Sequence, residues 1–497
     1  MKKMSIITAT SIMLICNCIS GQDSLTIEWD KMHQSKIQSL EKFNEAKFGM
    51  FIHFGVYSSL GGYWKGNNIK GIGECIMRYG EIPRSEYIKI CKQFNPIHFS
   101  ADEWVKAAKM AGMQYIVAMP KHADGFAMYN SKETKYDIVD MTKFKRDPIA
   151  ELYQACKKYG LSFSIYFNYL DWMDGGNGGV IDYENKHPEE DKSYQYWANT
   201  WDPSPVSFTE YFEKKYKPQL RELLTKFPGL QELWHDMPMK ITRQQSFEVY
   251  KMVYELQPTI LDNSRIGNNF GDYWIPGDNI IPEKLSGEEM KDDPINTAKM
   301  GKIYWETPGT MNNTWGYRGD DQDWKSIEEL LYWLTEITSK GGNYLLNIGP
   351  MADGTFPEAS RERLKEIGKW MSVNGESVYG TSCWIVSHEG PTFALINGTD
   401  KREKEGFNAN ITPRDFWFSK KGKNIYITSL KWPESQNILI KSFNNLTKDE
   451  QNNIESIELL GSNEEVLWKI EEKGLKVNIP LTKPNSHGYV LKVSMKM

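Results

Sequence analysis

QYIVAMPKHADGF, residues 114–126, runs from an apolar core into a cluster of ionisable side chains. Aromatic and β-branched residues at 115–117 suit a strand buried on both faces, and Gly125 breaks the pattern. Lys121, His122 and Asp124 then stand where such a strand ends, with the small Ala123 among them. The same arrangement recurs in FGMFIHFG (48–55), SFSIYF (162–167), LQELWHD (230–236), TILDNS (259–264), KIYWET (302–307) and NYLLNIG (343–349). Between these runs, residues 101–112, 149–160, 245–257, 327–342 and 361–375 carry helical periodicity. Repeated strand-helix alternation over this length predicts an α/β chain folded as an irregular (β/α)8 TIM-like barrel, with seven strands evident and the eighth irregular or missing.

After about residue 380 the pattern changes. TFALING, DFWFSK, NIYITSL, NILIKSF, SIELLG and GYVLKVS are short, β-rich and separated by polar turns. They predict a C-terminal antiparallel β-sandwich over 381–497, following a barrel over 22–380.

Residues 1–21 read as a signal peptide: MKKM is basic, SIITATSIMLICNCI is apolar, and Ser20 and Gly21 are small. The apolar stretch is short for a spanning helix, so the chain is expected to be exported, to periplasm or medium, with no membrane span. Cys16 and Cys18 leave lipoprotein anchoring as a less favoured alternative. Four cysteines follow the leader, Cys75, Cys91, Cys156 and Cys383, at spacings of neither a zinc site nor a disulfide framework. The formal net charge is −5, and it becomes two units more negative once Lys2 and Lys3 leave with the leader. Nothing in that balance points to nucleic acid. Seventeen tryptophans and 26 tyrosines supply aromatic faces, which suit sugar rings but also fill large barrels.

In such a barrel the carboxyl ends of the strands are the place for chemistry. Those ends offer His53, His122, Asn168, Asp236, Arg265 and Glu306. GGNGG (175–179) does not follow a strand as a phosphate loop would, the histidines lack zinc spacing, and no serine sits in a nucleophile elbow. Carboxylates, histidines, an arginine and aromatics together suit glycoside hydrolysis, in which one carboxylate attacks and another protonates the leaving group. No metal or organic cofactor is called for. Alternation along LQELWHD puts Trp234 on the face of Asp236, and His235 toward the helical layer as a structural residue.

KFGMFIHFGVYS, KHADGF, LWHDMP, NSRIGN, WETPGT, TWGY and SKGGNYLLNIGP, in this order, resemble glycoside hydrolase family 29, the retaining α-L-fucosidases. The resemblance covers roughly residues 26–385 and implies an irregular barrel followed by a sandwich. It implies that Asp236 is the nucleophile, that His53, His122, Glu74, Tyr166, Trp234 and Arg265 contact the sugar, and that the substrate is a fucosylated glycan. The general acid falls in the loop GDYWIPGDNIIPEK. Asp278 is the first assignment, although PGDN also reads as a turn that its carboxylate caps; Glu306 is the second. Relatives often carry a glutamate where this chain has Ile280, adjacent histidines where it has His122 and Ala123, a tryptophan where it has Cys75, and a tyrosine where it has Phe167. These departures leave three readings: an α-L-fucosidase with an altered subsite, a glycosidase for a related L-sugar such as an α-L-galactoside (sulfated or anhydro forms included), or a weakly active sugar-binding protein.

Overall fold

A computed structural model describes residues 23–174, 197–238, 241–283, 303–392, 406–407 and 409–496. Seven parallel strands form its first sheet: β1 Phe48–Ile52, β2 Tyr115–Lys121, β3 Ser162–Asn168, β4 Glu232–Asp236, β5 Leu261–Asp262, β6 Glu306–Thr310 and β7 Asn343–Ile348. Their order is β5-β4-β3-β2-β1-β7-β6. Both faces are covered, which is why β1, β2 and β7 are buried along their whole length and read as apolar runs.

The two sheet edges are joined by a segment too short to be a strand. Tyr273 makes a parallel bridge to Asn263 beyond β5, and Trp274 makes one to Trp305 before β6. The Trp274 N–H donates to the Tyr304 carbonyl at 2.9 Å, and the Glu306 N–H donates to the Trp274 carbonyl at 3.0 Å. This dipeptide occupies the place of the expected eighth strand. Gly271 brings the chain against the backbone of Ser264, where an added Cβ would lie 2.7 Å from its Cα, and Pro276 soon stops any further ladder.

One strand is displaced from its sequence expectation. KIYWET was to end near Glu306, but β6 begins there. The Tyr304 carbonyl and the Glu306 N–H are spent on Trp274, the Trp305 carbonyl accepts from the Asn343 N–H at 3.0 Å, and the ladder with β7 starts at the Glu306–Asn343 pair. Glu306 therefore lies at the amino-terminal end of the barrel, opposite the strand ends where chemistry is expected.

The helices follow the periodic segments: α1 Ser24–Ser35, α2 Ile37–Ala46, α3 Ala101–Met110, α4 Pro148–Tyr159, α5 Arg243–Leu256, α6 Ile327–Ser339 and α7 Glu358–Asn374. Their starts carry chemical marks. Ser100 caps α3, Asp147 caps α4 with Pro148 at its first position, and Thr242 with Gln245 forms a capping box on α5. The helices α1 and α2 were not read from sequence. They are held by an ionic cluster in which buried Lys36 donates to Asp262 at 3.1 Å and to Asp272 at 2.7 Å.

Beyond α7 the strands are antiparallel: β8 Ser382–Glu389, β9 Phe416–Lys421, β10 Asn424–Ser429, β11 Asn437–Ile440, β12 Ile454–Leu459, β13 Leu467–Glu471, β14 Gly474–Asn478 and β15 Tyr489–Met495. Sheets ordered β8-β9-β10-β15-β12 and β11-β14-β13 enclose a separate core that includes Phe416, Phe418, Ile427, Ile440, Leu475 and Leu491. Most of the expected strand TFALING lies outside the described residues. The sandwich is anchored to the barrel by the Trp417 indole, which donates to Glu336 of α6 at 2.5 Å. No helix among the described residues is long and apolar enough to cross a membrane.

Candidate active site

At the carboxyl ends of β1 to β4 the barrel opens into a cavity of about 350 Å³. Its lining includes His53, Glu74, Cys75, His122, Tyr166, Trp234, Asp236, Arg265 and Asp278. A larger, open cleft of about 1020 Å³ lies on the outer helical layer among lysines and glutamates such as Lys217 and Glu248. It shares no residue with the strand ends.

The alternation of β4 sorts its last three residues. Trp234 and Asp236 face the cavity, while His235 points outward and shares a 2.8 Å hydrogen bond with Asp262. The residue after Asp236, Met237, has a left-handed backbone (φ 54°) and turns the chain across the cavity with Pro238. Both oxygens of Asp236 are engaged. Arg265 Nη1 donates to Oδ1 at 2.8 Å, and the Tyr166 hydroxyl donates to Oδ2 at 2.8 Å. The second terminal nitrogen of Arg265 donates to Asp278 Oδ1. One guanidinium thus carries a carboxylate on each of two nitrogens, with Asp236 16% exposed and Asp278 45% exposed. The Asp278 side chain is held by this ion pair and lines the cavity. The paired carboxylates keep Arg265 charged despite its burial. The guanidinium also lies over the Trp234 ring, 4.9 Å from the ring centre.

The histidines are neutral. Burial lowers His53 well below its usual range, with His122 adding repulsion, and burial lowers His122 to about 3. The Asn347 amide nitrogen donates to the Trp315 carbonyl at 2.8 Å, so its oxygen faces His53 Nδ1 at 2.6 Å. That oxygen can only accept, so the proton is on Nδ1 and Nε2 is left as an acceptor. His122 stacks on Tyr166 with ring centres 5.6 Å apart, and Tyr166 stacks on Trp234 at 5.8 Å.

Glu74 enters from a turn packed against 314–317, where Gly73 and Gly316 allow close approach. A Cβ on Gly316 would lie 2.8 Å from the Glu74 nitrogen. The Gly316 N–H donates to Glu74 Oε2 at 2.8 Å. Burial, reinforced by Asp278 and Asp236, raises Glu74 to about 7 even against that hydrogen bond.

Other sequence candidates are placed elsewhere. Glu306 is a correction: it is fully buried beneath the cavity, where Tyr115 donates to it at 2.5 Å and the Trp234 indole at 3.0 Å. It is not part of the cavity lining. Burial and the neighbouring Glu232 raise it well above the carboxylate range, so it is a neutral strut. Asn168 lies just below the lining and donates to the Tyr166 oxygen at 2.8 Å. Of KHADGF, only His122 reaches the cavity. Lys121 donates to Tyr211 at 2.8 Å, and Asp124 accepts from Tyr87 at 2.8 Å. Ala123, which stands where relatives often carry a second histidine, is wholly buried in the main core and outside the lining. Phe167 faces outward under Lys121, and the cavity's phenol is Tyr166. Cys75 does line the cavity, with its thiol raised far above its usual range by burial.

Sequence reasoning missed Phe51, Ile72, Trp197, Met237, Pro238 and Trp315 as cavity walls. Phe51, Met237, Pro238 and Trp315 lie within the motifs KFGMFIHFGVYS, LWHDMP and TWGY, whereas Ile72 and Trp197 carried no signal. Among the described residues no group of three or more His, Cys, Asp or Glu is placed to hold a metal ion.

A family model described as Alpha-L-fucosidase matches residues 13–376, and one described as Alpha-L-fucosidase C-terminal domain matches residues 408–494. Plasma alpha-L-fucosidase of Homo sapiens is 29% identical over 465 residues, covering 88% of this chain and 85% of that protein. Tissue alpha-L-fucosidase of Macaca fascicularis is 27% identical over 483 residues, covering 93% and 88%. Among solved structures, a GH29 alpha-L-fucosidase from Bacteroides thetaiotaomicron, trapped as a covalent intermediate with 2-fluoro-fucosyl fluoride, has a TM-score of 0.72 at 25% identity. That match covers 93% of this chain and 96% of the other. Alpha-L-fucosidase AlfC from Lactobacillus casei, in complex with its alpha-L-fucose product, has a TM-score of 0.59 at 36% identity and covers 68% and 99%.

Proposed function

The chain belongs to the alpha-L-fucosidase family of glycoside hydrolases, and from that premise we propose that it is an exported, retaining exo-enzyme that removes terminal L-fucose from glycans. The observation that carries this reading is Arg265 holding Asp236 and Asp278 together at the end of β4. In the first step an Asp236 oxygen bonds to the anomeric carbon as the bond from that carbon to the leaving oxygen breaks. Asp278, having left Arg265 and taken a proton from solvent as the sugar binds, gives the leaving oxygen that proton. In the second step Asp278 takes a proton from water, whose oxygen displaces Asp236 and frees the sugar. His53, His122, Glu74, Tyr166, Trp234 and Arg265 hold the sugar. The neutral imidazoles suit this task, because His53 Nε2 accepts from a hydroxyl.

Cys75 favours a second reading. Its small side chain leaves room beside the ring, and a pocket that merely has space rejects an added hydroxyl weakly. An α-L-galactoside, which is the fucoside with one more hydroxyl, would then also be cleaved. Residues 1–21 act as the leader, 22–380 as the catalytic unit and 381–497 as its support.

Hydrolysis of aryl α-L-fucoside and aryl α-L-galactoside, with Asp236→Ala beside the parent, tests the reading. Faster fucoside cleavage that is abolished in the variant supports it. Preference for the galactoside moves the assignment to the second sugar. Cleavage of neither returns the binding-protein reading. In a crystal with a bound sugar the Asp236 and Asp278 carboxyls should lie about 5–5.5 Å apart.

A further inference from the structure

Asn168 is fully buried and has no path to a sugar, yet it is hydrogen-bonded at both ends of its amide. Its Oδ1 accepts from the Leu170 N–H at 2.7 Å, so the group against Tyr166 is the amide nitrogen. That nitrogen donates to the Tyr166 oxygen at 2.8 Å. An amide nitrogen cannot accept, so the phenol must send its own proton elsewhere. Asp236 Oδ2 lies 2.8 Å from the phenol oxygen. The backbone repeats this arrangement: Asn168 is the register partner of Asp236 across β3 and β4, and the Tyr169 N–H donates to the Asp236 carbonyl at 3.1 Å.

We propose that Asn168 is a positioning residue for the reaction, fixing the direction of a two-bond relay from Asn168 through Tyr166 to Asp236. The proposal rests on the reading of Asp236 as the nucleophile. The relay holds one Asp236 oxygen by a donor that cannot turn away, while Arg265 holds the other. Attack then needs no rotation of the carboxylate, and the donor from Asn168 polarises the phenol that donates onward. Tyr166 is kept protonated by burial and by Asp236. The other titratable groups around the phenol are His53, His122 and Cys75, with Arg265 and Asp278 beyond Asp236. Both imidazoles stay neutral.

The test is an isosteric swap of one atom. Asn168→Asp keeps the oxygen that accepts from Leu170 and replaces only the donor that faces Tyr166. While the introduced carboxyl is protonated it can still donate, and the relay is kept. Once ionised it accepts from the phenol and draws the proton off Asp236. Relative to the parent, kcat/KM for an aryl α-L-fucoside should be preserved within a few-fold at about pH 5 and fall about tenfold or more by about pH 8. The same substitution in a Tyr166→Phe background should add no such pH-dependent loss, because the relay is already broken. If the ionised carboxyl prevents folding, as read by thermal melting, Asn168→Ala takes its place: it should lower kcat/KM in the parent and not in the Tyr166→Phe background. A loss of the same size in both backgrounds, or an Asn168→Asp profile parallel to the parent's, overturns the proposal. Asp236→Ala, assayed alongside, separates the two failures. If that variant is inactive while Asn168→Asp follows the parent, the relay alone is wrong; if it stays active, the nucleophile reading is wrong.

Discussion

At the scale of single residues, strand alternation explains both what the sequence allowed and what it hid. KHADGF presents three ionisable groups in four positions where β2 ends, and only His122 lines the cavity. Alternation was enough to separate Trp234 and Asp236 from His235, because β4 is regular up to its last residue. It failed for Glu306, whose apolar neighbours Tyr304 and Trp305 read as strand but belong to an isolated bridge. A neutral strut that accepts from Trp234 can be replaced by an amide, whereas a general acid cannot. Glu306→Gln should keep kcat/KM for an aryl fucoside within a few-fold of the parent. Loss of general acid catalysis would instead cost about 10²–10⁴-fold, and a loss of that order on a glycoside with a poor leaving group would restore Glu306 as the acid. Walls such as Ile72 and Trp197 were not legible, since loops carry no periodicity that says where their side chains return.

At the scale of elements, legibility followed local chemistry. The helix α4 announces both of its ends, with Asp147 and Pro148 at the start and Gly160 after its last residue. Strands buried on two faces read clearly. The pair β13 and β14 did not, because LWKIE and GLKVN mix lysines and glutamate among their apolar residues and most of these positions are at least partly exposed. The bridging Tyr273–Trp274 segment lies below the length at which any pattern can be recognised. Gly160 offers a clean check on element energetics. It sits in the left-handed region (φ 75°) with nothing within 4 Å of an added Cβ, so backbone strain is the only penalty. Gly160→Ala should destabilise the protein by about 1–2 kcal/mol and leave kcat and KM unchanged. Denaturant unfolding reads the first and steady-state kinetics the second; a loss of activity in fully folded variant would mean that α4 is coupled to the site.

At the scale of the whole molecule, the barrel buries carboxyls of two opposite kinds, and their balance sets stability against pH. Asp272 is buried too, but Lys36 and His33 outweigh desolvation and hold it near 2, below its ordinary 3.8. Asp171, with Lys215 and Lys121, behaves in the same way. Such groups stabilise the fold above the unfolded value, and that stability is lost as pH falls toward 2. Asp124 and Glu74 lie on the other side. Burial raises each to about 7, from 3.8 and 4.5, despite hydrogen bonds that favour the charged form. Glu232 and Glu306 are raised in the same direction by burial, and Glu306 also by Glu232. For these the folded state binds more protons than the unfolded chain, so their contribution is complete below about pH 4 and is lost as pH rises, for Asp124, Glu74 and Glu232 through about 7. The signs combine into one prediction: thermal stability should be greatest near pH 4–5 and decline between about pH 5 and pH 7.5, each raised group adding up to about 1.4 kcal/mol per pH unit in its window. Melting temperatures across that range measure it. Glu232→Gln, which makes a buried carboxyl permanently neutral, should flatten the decline at the neutral end while costing little at pH 5. A parent curve that rises from pH 5 to 7.5 would mean that the ion-paired carboxylates dominate, and that the base of the barrel is wetter than its burial implies.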